Sequence, residues 1–349
     1  MREFKSALCL GGTGFVGHHL ARRLKSEGYF VRVVDIKAYE YGENDFADEV
    51  VISDLRNYNN VEAACRLQGE YSFLQKAFEE VRQFDLVFAL CCNMGGAGYV
   101  FTGENDAEII HDSALMNLNI AEVLRKQNFK GILFYSSSAC IYPQQIQKQS
   151  NNPGLKESDA IPYNPDSIYG LEKIFSENLY LTYARNHGLN VRIARFHNIY
   201  GPEGTYTGGK EKAPAAICRK IASSSHHANR GTGRGIATID VWGDGMQTRS
   251  FLYIDDCIDA VRLLMESDFK EPINIGSEEM ISINDLAKMV IEISGKSIDI
   301  KNIDGPVGVR GRNSDNTLIE ATLGWKPKYS LIEGMQLLYK WVNSQVNGL

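Results

Sequence analysis

The sequence predicts an α/β fold: a doubly wound parallel sheet with a smaller α/β C-terminal domain. Three observations carry this. Up to about residue 200, short apolar runs alternate with longer amphipathic ones. The short runs lack polar alternation, as expected of strands buried on both faces of a parallel sheet. A glycine-rich turn, GGTGFVG (11–17), joins the first strand to the first helix.

The elements follow in order. SALCLGG (6–12) reads as a strand and GHHLARRLKSEG (17–28) as a helix closed by glycine. FVRVVDI (30–36) and EVVISDL (49–55) read as the second and third strands. FLQKAFEEVRQ (73–83) is helical, DLVFALCC (85–92) is a strand, and 111–128 is a long helix. GILFYSSS (131–138) is a fifth strand, 167–188 a helix, and NVRIARFHNIYG (190–201) a sixth strand. Right-handed β-α-β connections then give an open, doubly wound sheet. Beyond residue 200 the pattern loosens, and SSSHHANRGTGRG (223–235) reads as a polar surface loop. Further elements are expected at 255–267, 272–276, 282–294 and 331–347. The expected division is 1–200 plus about 236–262 for the sheet domain. The segments 201–235 and 263–349 then form a second domain over its carboxyl edge.

Composition narrows the class. The 349 residues are 44% hydrophobic, with a net charge of −6 and no long basic run, which argues against a nucleic-acid partner. No apolar stretch reaches about 18 residues, so no membrane span is expected. MREFKSALCLGG enters a strand without an apolar signal region, so no signal peptide is read. Seven cysteines without a CxxC pair fit a reducing, cytoplasmic setting, and no metal-ligand spacing occurs.

Gly11, Gly14 and Gly17 form a G-x-x-G-x-x-G turn between strand and helix, the Rossmann fingerprint of a dinucleotide site. Phe15 and Val16 lie within it. Asp35 ends the second strand, where a carboxylate accepts the ribose hydroxyls of NAD; Lys37 beside it leaves NADP open. Asp54 and Leu55 end the third strand and are placed to flank the adenine; a helix N-cap is an equal reading of Asp54. In SIYGLEK, Tyr169 and Lys173 share one helical face. A lysine cation beside the phenol is expected to lower its pKa and ready it to accept a proton. Ser138 supplies a hydroxyl to the same reacting oxygen.

With these motifs the chain resembles the extended short-chain dehydrogenase/reductase family, over almost its whole length. That resemblance implies bound NAD, a Ser–Tyr–Lys group and a nucleotide-sugar substrate. Within the family, NMGGAGYV (93–100), SSACIYP (137–143), GGKEKAPAAICRK (208–220), VWGDGMQTRSFLYIDDC (241–257) and GPVGVRGRNSDN (305–316) resemble the GDP-mannose 3,5-epimerases. The resemblance implies oxidation at the sugar C4, deprotonation and reprotonation at C5 or C3, and re-reduction. Cys140 is then the base and Lys212 the acid, while Tyr169, Lys173 and Ser138 handle the C4 oxygen. Gly95, Gly96 and Ala97 surround the hexose. Asn198, Arg249 and Arg312 meet the diphosphate, with Gln247 and Lys220 as further contacts.

The alternatives are a buried structural thiol at Cys140, a solvated lysine at Lys212, and pairing of Arg312 with Asp315. The alternative activities are another GDP- or NDP-sugar C3 or C5 epimerase, a 4-epimerase or a 4-keto reductase. A 4,6-dehydratase of the family carries an Asp–Glu pair where this chain has Ala139 and Cys140. The segment 221–240 is longer and more polar than in the subgroup, so a GDP-hexose or a related nucleotide sugar is the expected substrate class. A homodimer is expected through helices 111–128 and 167–187.

Overall fold

The computed structural model describes residues 5–67, 83–224 and 237–348. The helix expected at 73–83 and most of the loop expected at 223–235 lie outside the described residues. Through residue 200 the elements are β1 Ser6–Leu10, α1 Phe15–Ser26, β2 Phe30–Asp35, β3 Glu49–Ile52, α2 Tyr58–Ala64, β4 Leu86–Ala89, α3 Ala97–Val100, α4 Asp106–Lys126, β5 Ile132–Ser138, α5 Ile168–His187, β6 Asn190–Phe196 and β7 Ile199–Tyr200. They continue with α6 Ala213–Ser223, β8 Ala237–Trp242, β9 Thr248–Ser250, β10 Leu252–Tyr253, α7 Ile254–Glu266 and β11 Ile273–Ile275. The chain closes with β12 Met280–Ser282, α8 Ile283–Ser294, β13 Ile298–Ile303, β14 Gly311–Arg312, α9 Thr317–Leu323 and α10 Leu331–Asn347.

Seven strands form one sheet in the order β11-β6-β5-β4-β1-β2-β3. Every pairing within it is parallel. β1 is flanked by β2 and β4, so the winding reverses there and opens a crevice at the carboxyl ends of the strands. β11 comes from the segment read as the second domain, yet it joins this sheet beside β6.

Each central strand divides its side chains between two apolar layers. Ala7, Cys9, Phe88 and Phe134 enter one core cluster, while Leu8, Leu10, Val87 and Tyr135 enter the other. Both faces are therefore dry, which explains the unbroken apolar runs. The second cluster is covered by α4 and α5, through Ile120, Leu124 and Tyr180. The first runs on into Cys218, Leu286 and Leu338 of α6, α8 and α10.

The helix ends follow local chemistry. Ser167 accepts from the Gly170 amide to cap α5, and Gly188 closes the helix in the left-handed region at φ 73°. Ser282 caps α8 in the same way. For α2 the cap is Asn57, which accepts from the Asn59 amide, so Asp54 does not have the capping role.

A buried ion pair fastens α5 to the sheet. Arg195 on β6 meets both carboxylate oxygens of Glu177, at 2.6 and 3.2 Å, and Ser137 Oγ donates to Glu177 Oε2 at 2.8 Å. Both side chains are almost fully buried. Glu177→Ala is expected to destabilise the protein by about 3–5 kcal/mol, because it leaves the Arg195 charge buried and unpaired. Pairing Glu177→Leu with Arg195→Met should recover most of that loss. Denaturant midpoints of the two variants check this; equal midpoints would remove the ion pair as the cause.

Candidate active site

The crevice begins at the glycine turn. Gly11 has φ +84°, and its amide donates to the Val34 carbonyl at 2.8 Å. A Cβ at Gly11 would come within 2.6 Å of the Cys91 amide nitrogen. A Cβ at Gly17 would overlap the Gly11 carbonyl oxygen. Glycine is thus demanded where strand, turn and helix close on one another. Gly14 is the extended N-cap of α1, and no side chain caps that helix. Phe15 and Val16 provide the first two helical positions, so their amides belong to the orphan set of an α-helix N-terminus. Asp35 Oδ2 accepts from the Thr13 amide at 3.2 Å, which ties the end of β2 to the turn.

This cradle fits a dinucleotide: a narrow glycine turn, an uncapped helix N-terminus, and a carboxylate at the end of β2. Asp54, which follows β3, makes an ion pair with Arg56. Its carboxylate forms a fork with Arg56 at 2.8–3.1 Å, which lowers its pKa. Leu55 is buried in the core beside Val61.

Ser138 ends β5, and its Oγ accepts from the Cys140 amide at 3.1 Å, capping a single 3-10 turn, Ala139–Ile141. Tyr169 and Lys173 lie on the first turns of α5, both buried. A Cβ at Gly170 would overlap the Cys140 carbonyl oxygen, so α5 lies directly on this turn. Ser138, at the end of β5, acts on the Tyr169 phenol and favours its ionised form. Lys173 Nζ donates to the Ser136 carbonyl at 3.1 Å and sits 5.6 Å from the Tyr169 ring centroid.

The expected depression of the Tyr169 pKa is not found. Burial pushes it well above the usual phenol value, and the charges of Cys92, Cys140 and Glu172 add to that; Ser138 pulls the other way. The desolvation of a buried phenolate outweighs the attraction of a lysine whose ammonium is already bonded elsewhere. Lys173 remains a cation. Burial opposes its charge, but Cys92 and Glu172 outweigh burial and raise its pKa. Glu172, which the sequence reading missed, is held by Asn117 Nδ2 at 3.1 Å and Ser176 Oγ at 2.6 Å. Its sequence signal is weak, since it stands between Leu171 and Lys173 like any helix-surface acid.

Cys140 meets a guanidinium. Arg312 Nη1 donates to Cys140 Sγ at 3.1 Å, Nη2 donates to Asp166 Oδ2 at 2.6 Å, and Nε donates to Gln147 Oε1 at 2.7 Å. The pairing of Arg312 with Asp315 is not formed; the Asp315 carboxylate accepts from the Thr317 amide instead. Arg249 is the partner of Arg312 in the parallel register of β9 and β14. Burial and the Arg312 charge pull the Arg249 pKa down to about 10. Its Nη1 and Nη2 donate to the carbonyls of Thr248 and Val307.

The glycine loop 94–98 brings in the last cation. The Gly96 amide donates to the Lys210 carbonyl at 3.0 Å, and a Cβ at Gly96 would overlap the Glu211 carbonyl oxygen. The loop therefore packs on the segment that carries Lys212, with Gly95 and Ala97 on either side of the contact. Lys212 is the N-cap of α6. Met94 and Tyr99, from the same stretch as the glycine loop, pack with Cys140 against the apolar cluster of Val100, Ile109 and Tyr169, so this stretch links the Lys212 segment to the thiol. Burial lowers the Lys212 pKa.

The remaining expected contacts differ in placement. Asn198 has φ 47° and donates to the Ser250 carbonyl at 2.9 Å, linking the end of β6 to β9. Gln247 is buried; its Nε2 donates to the Trp242 carbonyl, and its Oε1 has no hydrogen-bond partner among the described residues. Lys220 donates to the Asp240 carbonyl at 2.6 Å. His18 and His19 on α1 cluster with Glu203, but Arg22 and Tyr39 also donate to the Glu203 carboxylate, and the Arg22 guanidinium disfavours a metal there.

Because burial disfavours the Lys212 ammonium, this lysine should lose its proton below the 10.5 of a free lysine side chain. Amine acetylation across pH, read at the Lys212 peptide by mass spectrometry, should show a midpoint below that value. A midpoint at or above it would remove the burial argument.

Comparison with known proteins places the fold and the family. The chain is 43% identical to GDP-mannose 3,5-epimerase of Arabidopsis thaliana over 337 residues, covering 96% of this chain and 81% of that protein. It is 42% identical to GDP-mannose 3,5-epimerase 1 of Oryza sativa subsp. indica, with the same coverage. The solved UDP-glucose 4-epimerase of Thermotoga maritima shares the fold, with a TM-score of 0.77, 24% identity, and coverage of 98% of this chain and 100% of that one. The model of the NAD dependent epimerase/dehydratase family matches residues 7–276. With that match spanning both the glycine turn and the carboxyl edge of the sheet, this chain belongs to the NAD dependent epimerase/dehydratase family.

Proposed function

We infer that this chain is an NAD-dependent nucleotide-sugar epimerase of the GDP-mannose 3,5-epimerase type. The observation that carries the reading is that the 94–100 stretch packs on the Lys210–Lys212 segment on one side and joins Cys140 and Tyr169 in one apolar cluster on the other, with Ser138 and Lys173 alongside. A hydroxyl–phenol–lysine group alone serves redox at one carbinol. An additional thiol and amine supply what inversion at a neighbouring carbon needs: one group to remove a proton and one to return it.

The Gly11–Gly17 turn and Asp35 would hold NAD, which when bound would supply reversible hydride acceptance at the sugar C4. Tyr169 must first be ionised beside the Lys173 cation; it then takes the C4 hydroxyl proton and later returns it. Lys173 balances the negative charge that passes through the phenol. Cys140 removes the proton at C5 or C3, made acidic by the adjacent carbonyl. Lys212 delivers a proton to the opposite face, and its lowered pKa makes the ammonium a readier donor. Gly95, Gly96 and Ala97 leave room for the hexose. Asn198, Arg249 and Arg312 are the proposed diphosphate contacts, with Gln247 and Lys220 toward the nucleotide. A 4-epimerase or 4-keto reductase needs no such second pair, which disfavours both.

A homodimer and a cytoplasmic setting belong to the same proposal. Ile110 and Leu118 on α4, with Leu171 and Phe175 on α5, are 37–45% exposed, and they supply an apolar surface for a second copy. All seven cysteines are free, in keeping with a reducing compartment. No helix among the described residues is long and apolar enough to cross a membrane.

With GDP-mannose in heavy water, deuterium should enter the sugar at C5, C3 or both, with no net change at 340 nm. Exchange with a UDP-sugar and none with any GDP-sugar would overturn the substrate class. Cys140→Ala should cut exchange by roughly 10²–10⁴-fold while single-turnover C4 oxidation persists. Loss of oxidation as well would make the thiol structural.

A further inference from the structure

We propose that Asp166 and Gln147 are positioning residues: they lock the Arg312 guanidinium against Cys140 Sγ, so that the arginine holds and orients the sulfur of the base. This rests on the reading of Cys140 given above. Neither residue has a motif to mark it, and each reaches Arg312 from a different part of the chain.

The lock has three sides. Asp166 immediately precedes Ser167, the N-cap of α5, and Ser167 Oγ in turn donates to Asp166 Oδ1 at 3.1 Å. Its carboxylate takes the Nη2 edge of the guanidinium at 2.6 Å, with side-chain exposures of 2% for Asp166 and 5% for Arg312. Gln147 takes the Nε edge at 2.7 Å. Its own amide group is fixed, because Nε2 donates to the carbonyls of Tyr142 and Pro143, next to the Cys140 turn. Its backbone carbonyl accepts from the amides of Arg310 and Gly311, on the approach to β14. A Cβ at Gly311 would overlap the Gln149 carbonyl oxygen, so β14 is pressed onto this loop. The third side is the thiol itself, at 3.1 Å from Nη1.

A guanidinium offers five N–H donors in a rigid fork. Three are used here in three directions, so the fork cannot turn without breaking a charge-assisted bond. Two donors remain for a substrate oxyanion, and the same arginine can join base and diphosphate. The charged and titratable groups around Cys140 come from every element packed against it. They are Tyr169 and Lys173 on α5, Lys212 before α6, Arg249 on β9 and Arg312 on β14. Among these, Arg312 donates directly to the sulfur. A cationic donor favours the negative form of the group it bonds.

The sign of one variant separates positioning from simple charge balance. Asp166 carries the charge opposite to Arg312. If the carboxylate merely screened the arginine, Asp166→Asn would strengthen the positive field at the sulfur and make the thiol more reactive. If it positions the arginine, the same change frees the fork, and the thiol loses its donor.

The test is iodoacetamide alkylation of Cys140 in the NAD-loaded protein without sugar, followed across pH and localised by peptide mass spectrometry. Asp166→Asn and Arg312→Gln should each slow alkylation at pH 7 by about tenfold, because the sulfur loses the cationic donor that favours the reactive thiolate. The double variant should be no slower than Arg312→Gln alone. Gln147→Leu should also slow alkylation, and it gives an independent arm if Asp166→Asn does not fold. Unchanged or faster alkylation in Asp166→Asn, or in Gln147→Leu when only that variant folds, would overturn the proposal. Because no sugar is present, slowed alkylation without deuterium exchange in the unmodified protein would sink the epimerase reading alone. Normal exchange with unslowed alkylation in the variants would sink the positioning role alone.

Discussion

Gly170 lies so close to the Cys140 carbonyl that no side chain fits between them. The rest of the site hangs on that contact. It seats the first turns of α5 on the 3-10 turn after β5, and so sets the distances among Ser138, Cys140, Tyr169 and Lys173. The buried Glu177–Arg195 pair, deeper along α5 and β6, keeps the helix from sliding over the sheet. Ser167 and Asp166, at the start of the same helix, carry the constraint outward to β14 through Arg312. One helix thus registers the redox group, the thiol and the C-terminal segment against each other.

The electrostatics of the crevice follow from its dryness. Tyr169 and Lys173 are buried, and burial penalises charge on both, but the outcomes differ. Burial dominates for the phenol and the nearby Glu172 carboxylate adds to it, so it is held as the neutral acid. The lysine has that same carboxylate on its side and keeps its proton. Lys212 faces the same penalty with weaker compensation and gives up its proton more readily. Similar burial therefore yields one strong cation and one ready donor, decided by who stands beside each. Arg249 and Arg312 repeat the contrast. Side by side in register, Arg312 gains from Asp166, while Arg249 is left with backbone carbonyls and the charge of its neighbour.

Several features lay open in the sequence because they depend on nearest neighbours along the chain. Parallel strands covered on both faces must be apolar without alternation, and β1, β4 and β5 read that way directly. The glycine turn had to follow a strand and open a helix. Tyr169 and Lys173 had to share a face, since four residues make about one helical turn. The placing of Asp35 at the end of β2 was legible for the same reason.

What tertiary structure alone decided is who meets whom across the chain. Cys140, Gln147, Asp166 and Arg312 come from four separate segments, and no local pattern joins them. The choice of Asn57 over Asp54 as the cap of α2 turned on Arg56 claiming the aspartate. β11 could join the sheet only once β6 presented a free edge. The Tyr169 pKa moved against the sequence expectation because desolvation is a property of the whole surrounding volume. Spacing along a helix places a lysine near a phenol, but it cannot say how much water the folded chain leaves around them.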